Sequence, residues 1–348
     1  MITADSLTIL VLVMLIAALF HFLPLWHRQS LWFGVTVGPD FSATPEAARI
    51  LRRYRVEMWT FSAVAWILAW AGLLSGYAWM LAGGPLLQSL GACLAFALGR
   101  NRTRPFARHE TGSRAASLAA APESLPGGPA GIAGPYAILA AAAIFLRVNW
   151  QSLPARFPVH WGIHGNPDRW ARRTWASVYS VLIIGGLAIL LLHIMGYLIV
   201  SASPRSRMAE TAGWTARFRR ANLRLIVVLG WMLAAMFAAI ALNPYLAPGG
   251  AMAVPVWIMI AAVLVVSAAL IWPIIRICQE PGSGSDGTPD ECWKLGQIYY
   301  NPNDPALLVE KRFGVGYTIN FGNRASWLVV ALILLMVLVP VMLRGGRH

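Results

Sequence analysis

Long apolar stretches recur along the chain from Leu7 to Leu343, separated by shorter polar segments. A membrane-spanning helix needs about 20 apolar residues, because the hydrocarbon core of a bilayer is roughly 30 Å thick. Eight stretches meet or approach this length. We predict spans over residues 6–26, 56–75, 78–98, 132–149, 176–201, 223–243, 251–275 and 326–344. The pattern therefore predicts an all-α polytopic membrane protein with about eight transmembrane helices.

The segments between the spans divide the chain into regions of different character. The chain begins with a three-span region that includes a basic loop (1–99), followed by a flexible linker rich in Ala, Gly, Pro and Ser (100–131). A four-span core (132–276), a loop with a β element (277–325) and the last span (326–348) follow.

Some polar segments predict regular structure. Thr44-Pro45-Glu46 is typical of a helix start, so we expect a helix that runs on into the second span. Phe33–Val37 is prone to form a strand. In the tail, apolar residues alternate with glycine and polar residues from Phe313 to Phe321, which indicates a half-buried strand. We predict a small β element there, and the repeated Phe-Gly-Val at 33–35 and 313–315 suggests that these stretches pair.

Composition and charge agree with a membrane location. Hydrophobic residues make up 58% of the 348 residues and charged residues only 12%, against about 25% charged in soluble domains. The net charge of +14 comes almost entirely from arginine, since Lys294 and Lys311 are the only lysines. The arginines cluster at the ends of spans, where they meet lipid headgroups, so nucleic acid is not an expected partner. Three cysteines fit no disulfide framework or paired metal spacing.

The distribution of arginine and lysine predicts the orientation. The loops after the first, third, fifth and seventh spans carry five, five, six and five basic residues. The segment before the first span and the turns after the second and sixth spans carry none. Positive loops stay in the cytoplasm, so both termini and the 150–175 loop are predicted to be extracytoplasmic, although that loop holds four arginines.

The 150–175 loop is the richest in candidate chemistry. His160 and His164 are four residues apart and Asp168 follows four residues later, so the three could converge on Zn²⁺. The alternative is that His160 hydrogen-bonds the loop backbone while tryptophans anchor the loop at the membrane surface. A third interpretation is a binding loop for a peptide, a lipid or an envelope fragment. The candidate binding residues are His160, Trp161, His164, Gly165, Asp168 and Arg169.

Two histidines within spans raise a different possibility. His21 and His193 could belong to the path of a small-solute transporter, since ionisable groups in membranes are often functional. No chain of acids links them, and a lone membrane histidine is more often an interhelical hydrogen-bond partner. The sequence has no nucleophile–base pairing, no HExxH helix and no nucleotide fingerprint. We therefore expect no cofactor, with zinc at the 150–175 loop as the alternative.

Two stretches resemble known families. Leu153-Pro154, Phe157–Trp161 and Gly165–Asp168 resemble the signature of domain of unknown function 1648, which precedes the remaining spans in SdpI-type proteins. Those proteins confer immunity to a secreted toxin and signal its presence. The tail from Trp293 to Gly322 is similar to domain of unknown function 5808. SdpI-type proteins are smaller and usually lack this tail and the three extra N-terminal spans, so immunity carries over only as an expectation.

These observations favour a non-enzymatic receptor or immunity-like protein of a bacterial inner membrane. The 150–175 loop would recognise a secreted peptide or an envelope component. The tail would contact a cytoplasmic protein, or self-associate, through Trp293, Tyr299, Tyr300, Asn301 and Arg312. The alternatives are a metal-dependent envelope enzyme that uses His160, His164 and Asp168, and a small-solute transporter. The sequence leaves the oligomeric state open.

Overall fold

The computed structural model describes residues 4–28, 30–108, 124–161, 167–201, 209–250, 256–280, 288–312 and 316–334. Helices dominate this part of the chain: α1 (Ala4–Phe22), α2 (Pro45–Ser75), α3 (Ala78–Thr103), α4 (Gly128–Val148), α5 (Trp175–Ser201), α6 (Ala209–Leu246) and α7 (Val256–Gln279). Among the described residues, six helices are long and apolar enough to cross a membrane, and a shorter apolar helix covers Leu10–Leu25. The prediction of an all-α polytopic membrane protein is confirmed.

Local signals explain where α2 begins and ends. The helix predicted after Thr44 is α2, which runs on through the second span as expected. The side chain of Thr44 accepts a hydrogen bond from the backbone N–H of Ala47 at 3.2 Å and so caps the helix. Gly76, with φ of +76°, ends α2 in the left-handed conformation that glycine tolerates, and α3 follows directly.

Several helices extend beyond the predicted boundaries of their spans, and α4 and α6 are examples. The fourth predicted span begins at residue 132, whereas α4 begins at Gly128. The sixth was predicted from 223, whereas α6 begins at Ala209, so part of the basic segment after the fifth span is helical. Arginine has a high helix propensity, which allows a basic segment to extend a transmembrane helix outward. The last predicted span is helical over 326–334, where the described residues end.

Within the described part of the chain, four two-stranded antiparallel hairpins accompany the helices. They are β1 (Leu31–Trp32) with β2 (Val35–Thr36), β3 (Arg156–Trp161) with β4 (Pro167–Arg172), β5 (Trp293–Lys294) with β6 (Ile298–Tyr299), and β7 (Leu308–Glu310) with β8 (Tyr317–Ile319). The last two confirm the predicted β element near the C-terminus. The β3–β4 hairpin was not predicted, since that segment was interpreted as a loop.

The stretch predicted to form one strand at 33–37 contains a hairpin turn instead. Phe33 and Gly34 have φ of +47° and +72°, the left-handed pair that closes a two-residue hairpin. Val35 consequently pairs with Trp32. Residues 313–315, which we expected to pair with this stretch, lie outside the described residues.

The chain divides into two compact units. The first comprises residues 1–117, 204–218 and 274–323. Its core packs aromatic and aliphatic residues of the β1–β2 hairpin against α2 and α3, among them Phe33, Tyr54, Met58 and Phe96. The buried Tyr54 hydroxyl donates a hydrogen bond to the carbonyl oxygen of Phe20, which joins α2 to α1.

The second unit comprises residues 118–203, 219–273 and 324–348. Its core joins α4, α5 and α6, and glycines let these helices approach closely. A Cβ atom on Gly134 would lie 2.1 Å from the ring of Trp231, and one on Gly185 would lie 2.7 Å from the ring of Phe237. Contacts between small and large residues of this kind are typical of helix packing in membranes.

Candidate functional site

The segment predicted to recognise a ligand forms the β3–β4 hairpin. Its register pairs Arg156 with Arg172, Pro158 with Trp170, and His160 with Arg169. Val159 has no partner of its own, so β3 carries a bulge there. The tip, residues 162–166, lies outside the described residues.

Apolar contacts and one hydrogen bond fix the hairpin to the rest of the second unit. Leu153 and Phe157 are buried in the same core as residues of α4, α5 and α6. The indole N–H of Trp161 donates to the carbonyl oxygen of Gly250, in the turn that follows α6, at 2.9 Å. The ring of Trp170 also approaches Gly250, where an added Cβ atom would lie 3.1 Å from it. Both strands of the hairpin are therefore held.

Arg173 secures the start of the hairpin. Its Nη1 donates to the carbonyl oxygens of Trp150 and Leu153, at 2.9 and 2.6 Å. The ring of Trp150 stacks on that of Trp175 at 4.7 Å between centroids, and Trp175 stacks in turn on Tyr179 of α5. This arrangement fits the interpretation that tryptophans anchor the segment.

The surface that these anchors present is basic. Arg156, Arg169 and Arg172 are exposed, and the cross-strand pairing sets Arg156 directly opposite Arg172. Among the described residues, no carboxylate forms an ion pair with these three arginines. Like charges directly opposite each other destabilise a hairpin, so this face is suited to an anionic partner. Val159 and Trp170, 45% and 51% exposed, add apolar area to it.

The predicted binding and metal residues occupy different positions on this hairpin. His160 and Arg169 are exposed and face each other across the strands, whereas Trp161 is an anchor. His164 and Gly165 lie outside the described residues, as does the side chain of Asp168, although its backbone belongs to β4. Within the described residues, no three His, Cys, Asp or Glu side chains cluster as metal ligands would. Zinc binding stays a prediction.

The sequence interpretation missed three features of this hairpin. It did not identify the strand pairing, the cross-strand arginines Arg156 and Arg172, or the role of Arg173. The available signal was the alternation of Phe157, Val159 and Trp161, followed by a tip rich in glycine and asparagine. The prolines of the segment obscured that signal.

Each of the two membrane histidines has a hydrogen-bond partner. Nδ1 of His21 accepts from the indole N–H of Trp59 at 3.1 Å, which links α1 to α2. Nδ1 of His193 lies 3.1 Å from the hydroxyl of Tyr136, which links α5 to α4. These contacts fit the interpretation of interhelical hydrogen bonds, and a transporter role stays an untested alternative.

The tail segment, residues 288–323, contains the residues predicted to contact a partner, and these residues differ in how exposed they are. Trp293, Tyr299 and Arg312 are at most 2% exposed and belong to the interior of the first unit. Only Tyr300, 48% exposed, and the partly exposed Asn301 are accessible to a partner.

Arg312 belongs to a polar cluster that joins the tail segment to the β1–β2 hairpin. Its guanidinium donates to the carboxylate of Asp290 and, at 3.1 Å, to the carbonyl oxygen of Gly34. Arg100 of α3 donates to that same carbonyl at 2.8 Å and to the backbone oxygen of Asp290 at 2.9 Å. The Thr36 hydroxyl donates to the Asp290 carboxylate at 2.9 Å. Hydrogen bonds of this kind satisfy charges that would be costly to bury alone.

Comparison with known protein families supports the two resemblances. Residues 137–185 match the model of a domain of unknown function (DUF1648), and residues 302–327 match that of a family of unknown function (DUF5808). The first match spans the β3–β4 hairpin with parts of α4 and α5, and the second includes β7 and β8. No curated protein and no solved structure matches the chain. Both resemblances are confirmed, and neither description names an activity.

Proposed function

We propose that this integral membrane protein is a non-enzymatic receptor or immunity-like protein whose β3–β4 hairpin binds a secreted acidic peptide. The observation that carries the proposal is the cross-strand pair Arg156 and Arg172 on an anchored hairpin, with no carboxylate partner among the described residues. A preformed basic surface lowers the ordering cost that a ligand must overcome.

The shape of the hairpin favours an extended peptide. Strands β3 and β4 pair only with each other within the described residues, so each has an outer edge of backbone groups. An extended peptide can add to such an edge by main-chain hydrogen bonding. Strand β4 is the better template, because its residues from Arg169 to Arg172 include no proline and retain every backbone N–H.

The partner on the other side of the membrane would be a cytoplasmic protein. Tyr300 is the exposed member of the predicted contact set, and it adjoins the buried Tyr299. An exposed aromatic next to an ordered turn can insert into a partner at little entropic cost. This part of the proposal rests on the predicted orientation.

A survival assay tests whether the protein protects cells from a secreted peptide through the β3–β4 hairpin. Cells that lack the protein would be exposed to a panel of secreted antimicrobial peptides and complemented with wild type, with the Arg156→Gln/Arg172→Gln double variant, or with Arg224→Gln. Arg224 is an exposed arginine of the same unit and lies about 33 Å along α6 from Leu246.

We expect wild type and Arg224→Gln to restore survival against an acidic peptide and the double variant to fail despite normal membrane insertion. Equal rescue by all three proteins would contradict recognition through the hairpin. Sensitivity to no peptide at all would contradict the immunity-like role and leave receptor binding to be tested directly.

A further inference from the structure

A groove of about 860 Å³ runs along one face of α2, in the first unit. Its lining residues recur every three or four positions from Ala48 to Ala63, which is the spacing of one helix face. Arg52 and Arg55 line its first half, and the apolar Val56 and Trp59 follow. The predicted second span begins at residue 56, so the arginines lie where lipid headgroups would lie.

Arg52 and Arg55 differ from the charged residues around them in having no carboxylate partner among the described residues. Arg49 pairs with Glu46 at 2.6 Å, and Glu57 pairs with Arg102 at 2.5 Å. No carboxylate pairs with Arg52 or Arg55 among the described residues. The Nε atom of Arg55 is buried and has no hydrogen-bond partner. Two neighbouring arginines without carboxylate partners leave uncompensated positive charge at this end of the groove, which favours a ligand that supplies anionic oxygen atoms.

The rest of the groove is suited to binding an apolar chain. The indole of Trp59 is held by its hydrogen bond to His21 of α1. Beyond the groove the same face continues with Trp66 and Trp70, whose rings stack at 5.7 Å between centroids and are each 38% exposed. The distance along the helix from Arg55 to Trp66 is about 16 Å, close to half of the roughly 30 Å hydrocarbon core.

We propose that this groove binds one anionic phospholipid, with Arg52 and Arg55 on its phosphate and an acyl chain along Val56 and Trp59 toward Trp66. The planar guanidinium is suited to bidentate phosphate recognition, and basic pockets beside transmembrane helices are typical headgroup sites. The site is separate from the β3–β4 hairpin and does not depend on the function proposed for it.

Native mass spectrometry of the purified full chain in a neutral detergent tests the proposal, with phosphatidylglycerol and phosphatidylcholine as the added lipids. We expect wild type to retain one phosphatidylglycerol in preference to phosphatidylcholine. Arg52→Gln or Arg55→Gln should weaken retention about fivefold, and the double variant about 25-fold, since each arginine near the headgroup contributes similarly.

The matched control is Arg53→Gln, which removes an exposed arginine from the same helical turn but not from the groove. It should retain the lipid as wild type does. Equal weakening by Arg53→Gln, or equal retention of both lipids, would overturn the site. Displacement of the lipid by inorganic phosphate or glycerol phosphate at a concentration no higher than that of the lipid would overturn the assignment to a lipid, because the acyl chain would then contribute nothing to affinity.

Discussion

Asn320 organises the tail segment through a single buried side chain. Its amide nitrogen lies 2.9 to 3.1 Å from the carbonyl oxygens of Asn301, Asp304 and Ala306. Its amide oxygen accepts from the backbone N–H groups of Asn301 and Gly322, both at 3.0 Å. The Asn320 side chain therefore gives hydrogen-bond partners to backbone groups of an irregular turn that pair with no other backbone group. Buried polar groups need such partners to avoid a loss of stability.

Replacement of Asn320 by alanine should destabilise the first unit by about 2–4 kcal/mol, since several buried backbone groups lose their partners at about 1–3 kcal/mol each. Thermal unfolding in detergent measures this. Asn303→Ala is the control, because Asn303 lies in the same turn with an exposed side chain. A loss as large for Asn303→Ala would contradict the role given to Asn320.

His27 is expected to make the stability of the fold depend on pH. Its Nδ1 donates to the carbonyl oxygen of Arg28 at 2.7 Å, and its ring packs edge-on against Trp32. Desolvation lowers the pKa of His27, and the backbone hydrogen bond only partly opposes this. The unfolded chain therefore binds more protons as the pH falls below about 6.5, so His27 reduces the stability of the fold at acidic pH.

Unfolding measured between neutral and mildly acidic pH should show a smaller loss of stability for His27→Asn than for wild type. Asparagine keeps a hydrogen-bond donor but does not titrate in this range. Parallel pH profiles for the two proteins would show that the acid sensitivity has another origin.

Among the structural elements, the turns of two hairpins of the first unit, β1–β2 and β5–β6, contact each other and so help to hold the tail segment in place. Gly34 and Gly296 have positive φ and lie against each other, so that a Cβ atom on Gly34 would be 2.8 Å from the carbonyl oxygen of Gly296. Gly34→Ala should therefore combine backbone strain of about 1 kcal/mol with an overlap that costs about 1–3 kcal/mol more.

Gly76→Ala separates these two costs. Gly76 has φ of +76°, close to that of Gly34, but an added Cβ atom would meet no other atom within 4 Å. Thermal unfolding should consequently show a clearly smaller loss for Gly76→Ala. Equal losses would mean that the contact between the two turns contributes little to stability.

The elements differ in how far local sequence predicts them. The start of α2 was predictable, because Thr44, Pro45 and Glu46 act within a single helical turn. The β3–β4 hairpin was not, because its pairing depends on a bulge and on anchors such as Gly250, 89 residues from Trp161. Polar residues of the tail were interpreted as surface residues because their hydrogen-bond partners are also distant in the sequence. The hydrogen bond from Thr36 to Asp290, for example, spans 254 positions.

At the scale of the whole molecule, the apolar spans and both family resemblances followed from the sequence, whereas the orientation in the membrane is still a prediction. Cysteine labelling tests it. In a cysteine-free background, Val159→Cys and Tyr300→Cys would each place one thiol at an exposed position. A membrane-impermeant maleimide should label the first in intact cells and the second only after permeabilisation. The reverse pattern would invert the topology.

The most direct test of the proposed function is calorimetric titration of the protein in nanodiscs with a glutamate-rich extended peptide. We expect binding by wild type and by Arg224→Gln, with about tenfold weaker binding by Arg156→Gln/Arg172→Gln and a further loss at high salt. Equal affinity of all three proteins, or an equal affinity for a lysine-rich peptide, would contradict recognition of an acidic ligand by the β3–β4 hairpin.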